Sequence, residues 1–291
     1  KLSGGIVMRN AMQLKALIKN IALRKHIAPQ LVMQNYMLER LLERISLSKY
    51  QPIFILKGGF LIAAMVGWDT RSTMDMDATL KGFPVKEETV RDMFLDIISV
   101  NVDDSIVFSF ESVEEIREGD EYTGYRVHIK ANFQKMAVPL KLDITTGDII
   151  TPREVEFVYK SSFEDKKINI LAYNKETILA EKLETIISRG DQNTRPRDFY
   201  DVFILSKLFV DQIDKSVLRE SLEKTAVKRG SLSLMSNFLS ISETILQSEE
   251  MQKQWAKFSN NYNYANNLSL ADVLNSVVEI MSWLNGYRQF N

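Results

Sequence analysis

Cysteine is absent from the 291 residues, and the only histidines are His26 and His128. The first absence excludes a disulfide framework, a thiolate nucleophile and a sulfur-ligated zinc site, and it fits a reducing cytoplasm. Neither histidine reads as a catalyst. His26 falls in a connecting loop, and His128 alternates with Tyr125, Val127 and Ile129 as a surface residue of a strand would. No apolar run reaches the roughly 18 residues of a membrane span, and the N-terminus lacks the continuous apolar segment of a secretory signal. A soluble, cytoplasmic protein with no membrane partner is expected. Excess charge is missing too: a net charge of −1 excludes the blanket attraction to nucleic acid of a strongly basic chain. Internal repeats and proline-rich linkers are also lacking.

What is present is ordinary globular composition, 45% hydrophobic and 26% charged, over a length natural for two domains. The charge is unevenly spread. No acid precedes Glu39, whereas Lys1, Arg9, Lys15, Lys19, Arg24 and Lys25 are basic. Leu14, Leu17, Ile18 and Ile21 recur at helical spacing, so these cations are expected to coat the solvated side of a helix. Lys1 to Val7 precede Met8 and read either as a cloning remnant or as an upstream extension. Ala28-Pro29 restarts the chain, and Leu31, Met37, Leu38, Leu41, Leu42 and Ile45 carry a second amphipathic helix to about Ser48.

The most informative stretch runs from Phe54 to Leu80 and reads as strand, glycine turn, short helix, strand. Ile53 to Leu56 are strand formers stopped by Gly58 and Gly59, and Phe60 to Val66 is apolar on every side, as in a buried helix packed on a sheet. In Thr70-Arg71-Ser72-Thr73-Met74-Asp75-Met76-Asp77, the two aspartates are expected on one strand face, roughly 7 Å apart, with Met74 and Met76 in the core. Acids at a strand end often serve only to keep a turn wet. Paired hard oxygen donors suggest Mg²⁺ instead, and backbone N–H groups at a glycine helix start suit phosphates. Together they imply a nucleoside triphosphate. The pattern resembles the signature of the DNA polymerase β-like nucleotidyltransferase superfamily, with Gly59 in place of the common serine and a slightly longer gap to Asp75.

Downstream, Lys86 to Ser99 reads as a helix, followed by strands near Ser105 to Glu111, Tyr122 to Phe133 and Val138 to Thr145. In the last, Val138, Leu140, Leu142 and Ile144 face one way and Lys141, Asp143 and Thr145 the other. Asp143 is the candidate third carboxylate, or simply an acid announcing the turn at Gly147. Asn174 caps an expected helix to Arg189 with Ile178, Leu179, Leu183, Ile186 and Ile187 inward. Lys182 and Arg189 are expected on the same inward side, with Glu181 and Glu184 solvated. One such cation is usually a stem covering apolar surface; two ask for an anion, which a triphosphate would supply.

Next comes Arg195-Pro196-Arg197-Asp198-Phe199-Tyr200-Asp201, opening a helix with Phe199, Val202, Phe203 and Leu208 inward. Further helices are expected near Ser216 to Lys228, Ser233 to Gln247, Met251 to Phe258 and Ser269 to Tyr287, with a plain turn in the Asn-rich stretch 260–267.

Lys57-Gly58-Gly59, the Arg71 to Asp77 string, Lys182 on a helix ending at Arg189, and Arg-Pro-Arg-Asp-Phe-Tyr-Asp together resemble the AbiEii/AbiGii toxin family. The resemblance implies an α+β fold: a polymerase β-like mixed sheet with flanking helices, plus a C-terminal helical domain. The corresponding division is residues 1–50 as N-terminal helices, 51–172 as the nucleotidyltransferase core and 173–291 as a helical domain contributing to the active site. It implies a toxin of a bacterial abortive-infection pair, with a separately encoded antitoxin similar to a winged-helix repressor. Its reaction would be Mg²⁺-dependent addition of nucleotides from an NTP to RNA, at the 3′ acceptor end of tRNA, arresting growth. By motif, Asp75, Asp77, Lys182 and Asp198 would be catalytic, with Asp201 the alternative late acid. Asp75, Asp77 and Asp143 would hold metal, and Lys57, Gly58, Gly59, Arg71, Thr73, Arg189 and Arg197 would bind nucleotide. The rival readings are a protein- or small-molecule-directed nucleotidyl- or phosphotransferase and a nucleotide sensor without turnover.

Overall fold

The computed structural model describes residues 10–83, 85–116 and 124–285. Lys1, Arg9, the expected strand start at Tyr122 and the expected helix end at Tyr287 lie outside them. The chain divides into two compact units, residues 1–148 with 155–172, and residues 149–154 with 173–291.

The first unit is built on a mixed sheet of seven strands: β1 (Phe54–Lys57), β2 (Met76–Leu80), β3 (Val107–Ile116), β4 (Gly124–Phe133), β5 (Met136–Thr146), β6 (Val155–Lys160) and β7 (Lys167–Ala172). Their spatial order is β3-β4-β5-β2-β1-β7-β6. β2 runs parallel to β5 and β1 parallel to β7; the other neighbours are antiparallel. Helices α1 (Ala11–Lys25), α2 (Pro29–Leu47), α3 (Gly58–Val66) and α4 (Glu87–Ser99) flank it, giving the expected α+β mixed sheet. The hairpin β6–β7 is an addition to the expected strands.

Local chemistry sets the boundaries. Asn10 caps α1 by accepting the Gln13 N–H at 2.9 Å, and Pro29 occupies the first turn of α2, where its missing N–H costs nothing. A two-residue turn at Gln134 and Lys135 joins β4 to β5, with Gln134 left-handed at φ 53°. That turn fixes the register of everything behind it, and so sets Arg126 opposite Asp143.

The expectation of a half-solvated α2 is corrected. Every residue from Gln34 to Ile45 is buried, because α2 packs on β5 and β7 and also meets α4. Its charged groups are therefore paired internally. Arg44 donates to both oxygens of Asp104 at 2.7 and 2.8 Å, and Arg40 lies 3.1 Å from Glu164 and 3.4 Å from Glu43. Glu39 accepts from the Tyr159 hydroxyl at 2.8 Å, the Ser161 hydroxyl at 2.6 Å and the Ser162 N–H at 3.0 Å. Burial nevertheless pushes the Glu39 carboxyl up to about 7, outweighing those donors and Arg40.

The second unit is helical: α5 (Lys175–Arg189), α6 (Pro196–Phe209), α7 (Lys215–Lys228), α8 (Leu232–Met235), α9 (Phe238–Gln247), α10 (Glu249–Asn261) and α11 (Leu270–Asn285). Asn174 caps α5 as expected, accepting the Thr177 N–H at 2.7 Å. The expected helix from Ser233 to Gln247 is two helices separated by a turn. α5 packs on α6 and α7, and α6 on α11. Leu208 is 47% exposed rather than inward, because it falls in the closing turn of α6.

Candidate active site

Four charged residues form a row across the sheet of the first unit. Arg126 on β4 is opposite Asp143 on β5, Asp143 is opposite Asp77 on β2, and Asp77 is opposite Lys57 on β1. Residues opposite one another share a face, so all four side chains leave the sheet on the same side. Asp75 lies just before β2. The expectation that Met74 and Met76 both enter the core holds for Met76, which is fully buried, but not for Met74, which is 39% exposed. Met74 precedes the strand, where alternation no longer governs direction.

The acids differ in their surroundings. Arg126 closes both oxygens of Asp143, at 2.8 and 2.9 Å. Asp77 accepts the Gly59 N–H at 3.3 Å, which ties one carboxylate to the first turn of α3 and uses the positive end of that helix. Among the described residues, neither Asp75 nor Asp77 forms an ion pair. Asp75 keeps much of its surface in water, yet its carboxyl is raised above the usual carboxylate range, first by desolvation and then by the charges of Asp77 and Asp143. Lys141 and Arg126 oppose that rise.

Side chains close over both glycines. Gly58 has φ +64°, and a Cβ there would lie 2.1 Å from Asp77 Oδ2. A Cβ on Gly59 would lie 2.4 Å from Arg71 Nη1. Arg71 is buried and donates to the Ser72 carbonyl at 3.1 Å, and the Thr73 hydroxyl donates to the Asp75 carbonyl at 3.3 Å. Lys57 is buried as well, donating to the Thr145 hydroxyl at 2.7 Å and pairing with Asp148. Arg126, Thr145 and Asp148 are thus site residues to which sequence reasoning gave no role.

A divalent cation would find its donors in Asp75 and Asp77, since both oxygens of Asp143 are engaged. Among the described residues no three acidic or histidine side chains are grouped as a ready metal seat. Mg²⁺ typically takes one or two carboxylates and draws its remaining ligands from water and substrate phosphates.

The helical unit holds its own charged cluster. Lys182 on α5 pairs with Asp198 and lies 3.3 Å from Asp201, both on α6. The two aspartates are 4% and 0% exposed. The anion that the inward Lys182 asks for is therefore supplied from within the chain. Arg189 departs from expectation and is exposed, lying at the end of α5 where its neighbours stop. Glu184, expected in water, is buried, accepting from the Ser231 hydroxyl at 2.7 Å and pairing with Arg229. Arg197 donates to the Tyr262 hydroxyl at 2.7 Å, with its guanidinium 5.1 Å from that ring's centre. The Asn-rich stretch is more than a plain turn, since Tyr262 and Tyr264 stack at 5.3 Å and Tyr264 packs on Tyr200 at 4.8 Å.

Comparison with known proteins gives one family match, to "Nucleotidyl transferase AbiEii toxin, Type IV TA system", over residues 40–276. No curated protein matches. Among solved structures, JHP933 from Helicobacter pylori is similar at 14% identity and a TM-score of 0.52, over 89% of this chain and 94% of that one. A second H. pylori structure, described as a candidate nucleotidyltransferase, is similar at 14% identity and a TM-score of 0.51, over 90% and 100%. At that identity the likeness is one of fold.

Proposed function

This chain belongs to the AbiEii nucleotidyl transferase toxin family of type IV toxin–antitoxin systems, and from that premise we propose that its acidic row is the centre of an NTP-dependent nucleotidyltransferase. The acceptor is RNA, at the 3′ end of tRNA, and the outcome is growth arrest until a separately encoded antitoxin intervenes. The observation that carries this reading is the juxtaposition of Asp75 and Asp77, which pair with no cation among the described residues, with the glycine start of α3.

A Mg²⁺ bound by Asp75 and Asp77 would neutralise the phosphates and favour loss of pyrophosphate. The chain's own residues do the rest. Asp77 is held in place by the Gly59 N–H, and Gly58 keeps the approach to its oxygen open. Lys57, fixed by Thr145 and Asp148, closes the row on the β1 side opposite Asp77. The acceptor hydroxyl attacks the α-phosphorus, the bond to the β-phosphate oxygen breaks, and the hydroxyl proton leaves to a carboxylate or to water. Lys182 with Asp198 and Asp201 is assigned to the same activity on its motif. Arg195 and Arg189, both exposed, are available to RNA phosphates.

The test incubates the protein and its Asp77→Asn variant with total RNA and each labelled NTP in turn, then repeats the labelling with tRNA whose terminal ribose has been oxidised by periodate. Label in intact tRNA only, absent with Asp77→Asn, is expected. Equal labelling of oxidised tRNA would sink the 3′-end acceptor. Label on protein would point to a protein-directed transferase, and nucleotide binding without pyrophosphate release would leave a sensor.

A further inference from the structure

The sheet row contains three acids, yet one of them is withheld. Asp143 stands directly beside Asp77 in register, where its carboxylate would complete a three-acid metal site. Both of its oxygens are instead taken by Arg126 Nε and Nη2, at 2.8 and 2.9 Å. This is the forked geometry that matches a carboxylate with two parallel bonds. It is imposed by the tight Gln134–Lys135 turn, which counts back to set Arg126 opposite Asp143. The pair is not sealed in the core: the Arg126 side chain is 37% exposed and that of Asp143 24%. A phosphate-bearing ligand can therefore reach the guanidinium from solvent. Phosphate accepts the same fork as carboxylate, so the two compete for Arg126.

We propose that Arg126 is a positioning residue that locks Asp143 out of cation binding until substrate phosphate draws the guanidinium away. In the absence of nucleotide, a divalent cation then meets two carboxylates and a neighbouring positive charge. With nucleotide bound, Arg126 turns to phosphate and Asp143 becomes the third acid, so that full coordination and substrate arrive together. No covalent step is involved, only an exchange of ion partners. The inference rests on the proposed Asp75–Asp77 cation site, and the test separates failure of the one from failure of the other.

The experiment measures Mn²⁺ binding to the full chain without nucleotide, by electron paramagnetic resonance of free Mn²⁺. Wild type, Asp77→Asn, Arg126→Gln and Arg126→Gln/Asp143→Asn are compared. Removing the guanidinium takes away a repelling charge and frees two oxygens, so Arg126→Gln is expected to bind Mn²⁺ at least about tenfold more tightly. The gain should disappear in the double variant. Arg126→Lys keeps the ion pair but cannot close both oxygens, and should also bind more tightly than wild type. If Arg126→Gln binds no better than wild type, or if its gain persists in the double variant, the lock is refuted. If Asp77→Asn binds as well as wild type, the cation site itself is wrong. A role for Arg126 limited to folding would lower thermal stability without tightening Mn²⁺ binding.

Discussion

Substituting Gly58 tests whether this turn serves the backbone or the carboxylate beside it. Gly58 and Gly82 share nearly the same left-handed φ, +64° and +65°, but a Cβ at Gly82 meets nothing within 4 Å whereas one at Gly58 lies 2.1 Å from Asp77 Oδ2. Backbone strain is thus common to both, at about 1–2 kcal/mol for alanine in this region. Gly58→Ala adds an overlap that only movement of Asp77 can relieve, worth a further 1–3 kcal/mol or so by analogy with overpacked interiors. Relief requires the carboxylate to shift by about 1 Å, and misplacement on that scale costs on the order of 100-fold in rate. Urea denaturation should show Gly58→Ala destabilised by about 2 kcal/mol more than Gly82→Ala. The labelling assay should show a loss of about two orders of magnitude in Gly58→Ala alone. Equal stability losses with full transfer activity in both variants would refute the argument that Asp77 depends on the bare backbone beneath it.

Two further predictions concern buried charge. Lys182→Ala removes the cation shared by Asp198 and Asp201, which are 4% and 0% exposed. It should therefore cost about 3 kcal/mol in stability as well as activity; a loss below about 1 kcal/mol in urea would show that the cluster is solvated. Burial raises the folded pKa of Glu39 to about 7 from its ordinary 4.5, so the unfolded chain binds fewer protons between these values. Its contribution to stability is full below about pH 4.5 and is lost as pH rises towards 7, by up to about 3 kcal/mol. Arg40 lies 3.8 Å from it and Tyr159 donates to it, while Arg40 in turn meets Glu43 and Glu164, and Lys166 pairs with Glu43. Melting temperature measured from pH 5 to 8 should show this decline in wild type and a flatter profile in Glu39→Gln, and parallel profiles would contradict it.

How much was legible in sequence depended on the range of the signal. α5 was readable because its cap and its apolar stripe are local, and α3 because the apolar run Phe60 to Val66 follows a glycine pair. The polar side of each helix was not readable in the same way. Periodicity identifies one buried face and leaves the rest to water, yet Glu184 meets Ser231 and Arg229, and Arg44 meets Asp104, from far along the chain. The strands β6 and β7, six residues each, are too short for alternation to stand out without glycine or proline to frame them. Arg126 was within reach: a two-residue turn at Gln134 and Lys135 would have paired it with Asp143 by counting alone.

The order of charge along the row follows from that same register. From β4 to β1 the signs run plus, minus, minus, plus, as Arg126, Asp143, Asp77 and Lys57. Each cation is committed, Arg126 to Asp143 and Lys57 to Asp148 with Thr145. The negative charge left over therefore lies on Asp77 and its neighbour Asp75, and the Asp75 carboxyl is held above the usual range first by desolvation and then by the charges of Asp77 and Asp143. A one-residue slip of β5 against β2 would turn Asp143 to the opposite face and set Leu142 or Ile144 in the row. The Leu140, Leu142, Ile144 alternation forbids that slip, because it would expose the same residues that now fill the core. The hydrophobic pattern of β5 thereby fixes the electrostatics of the opposite face.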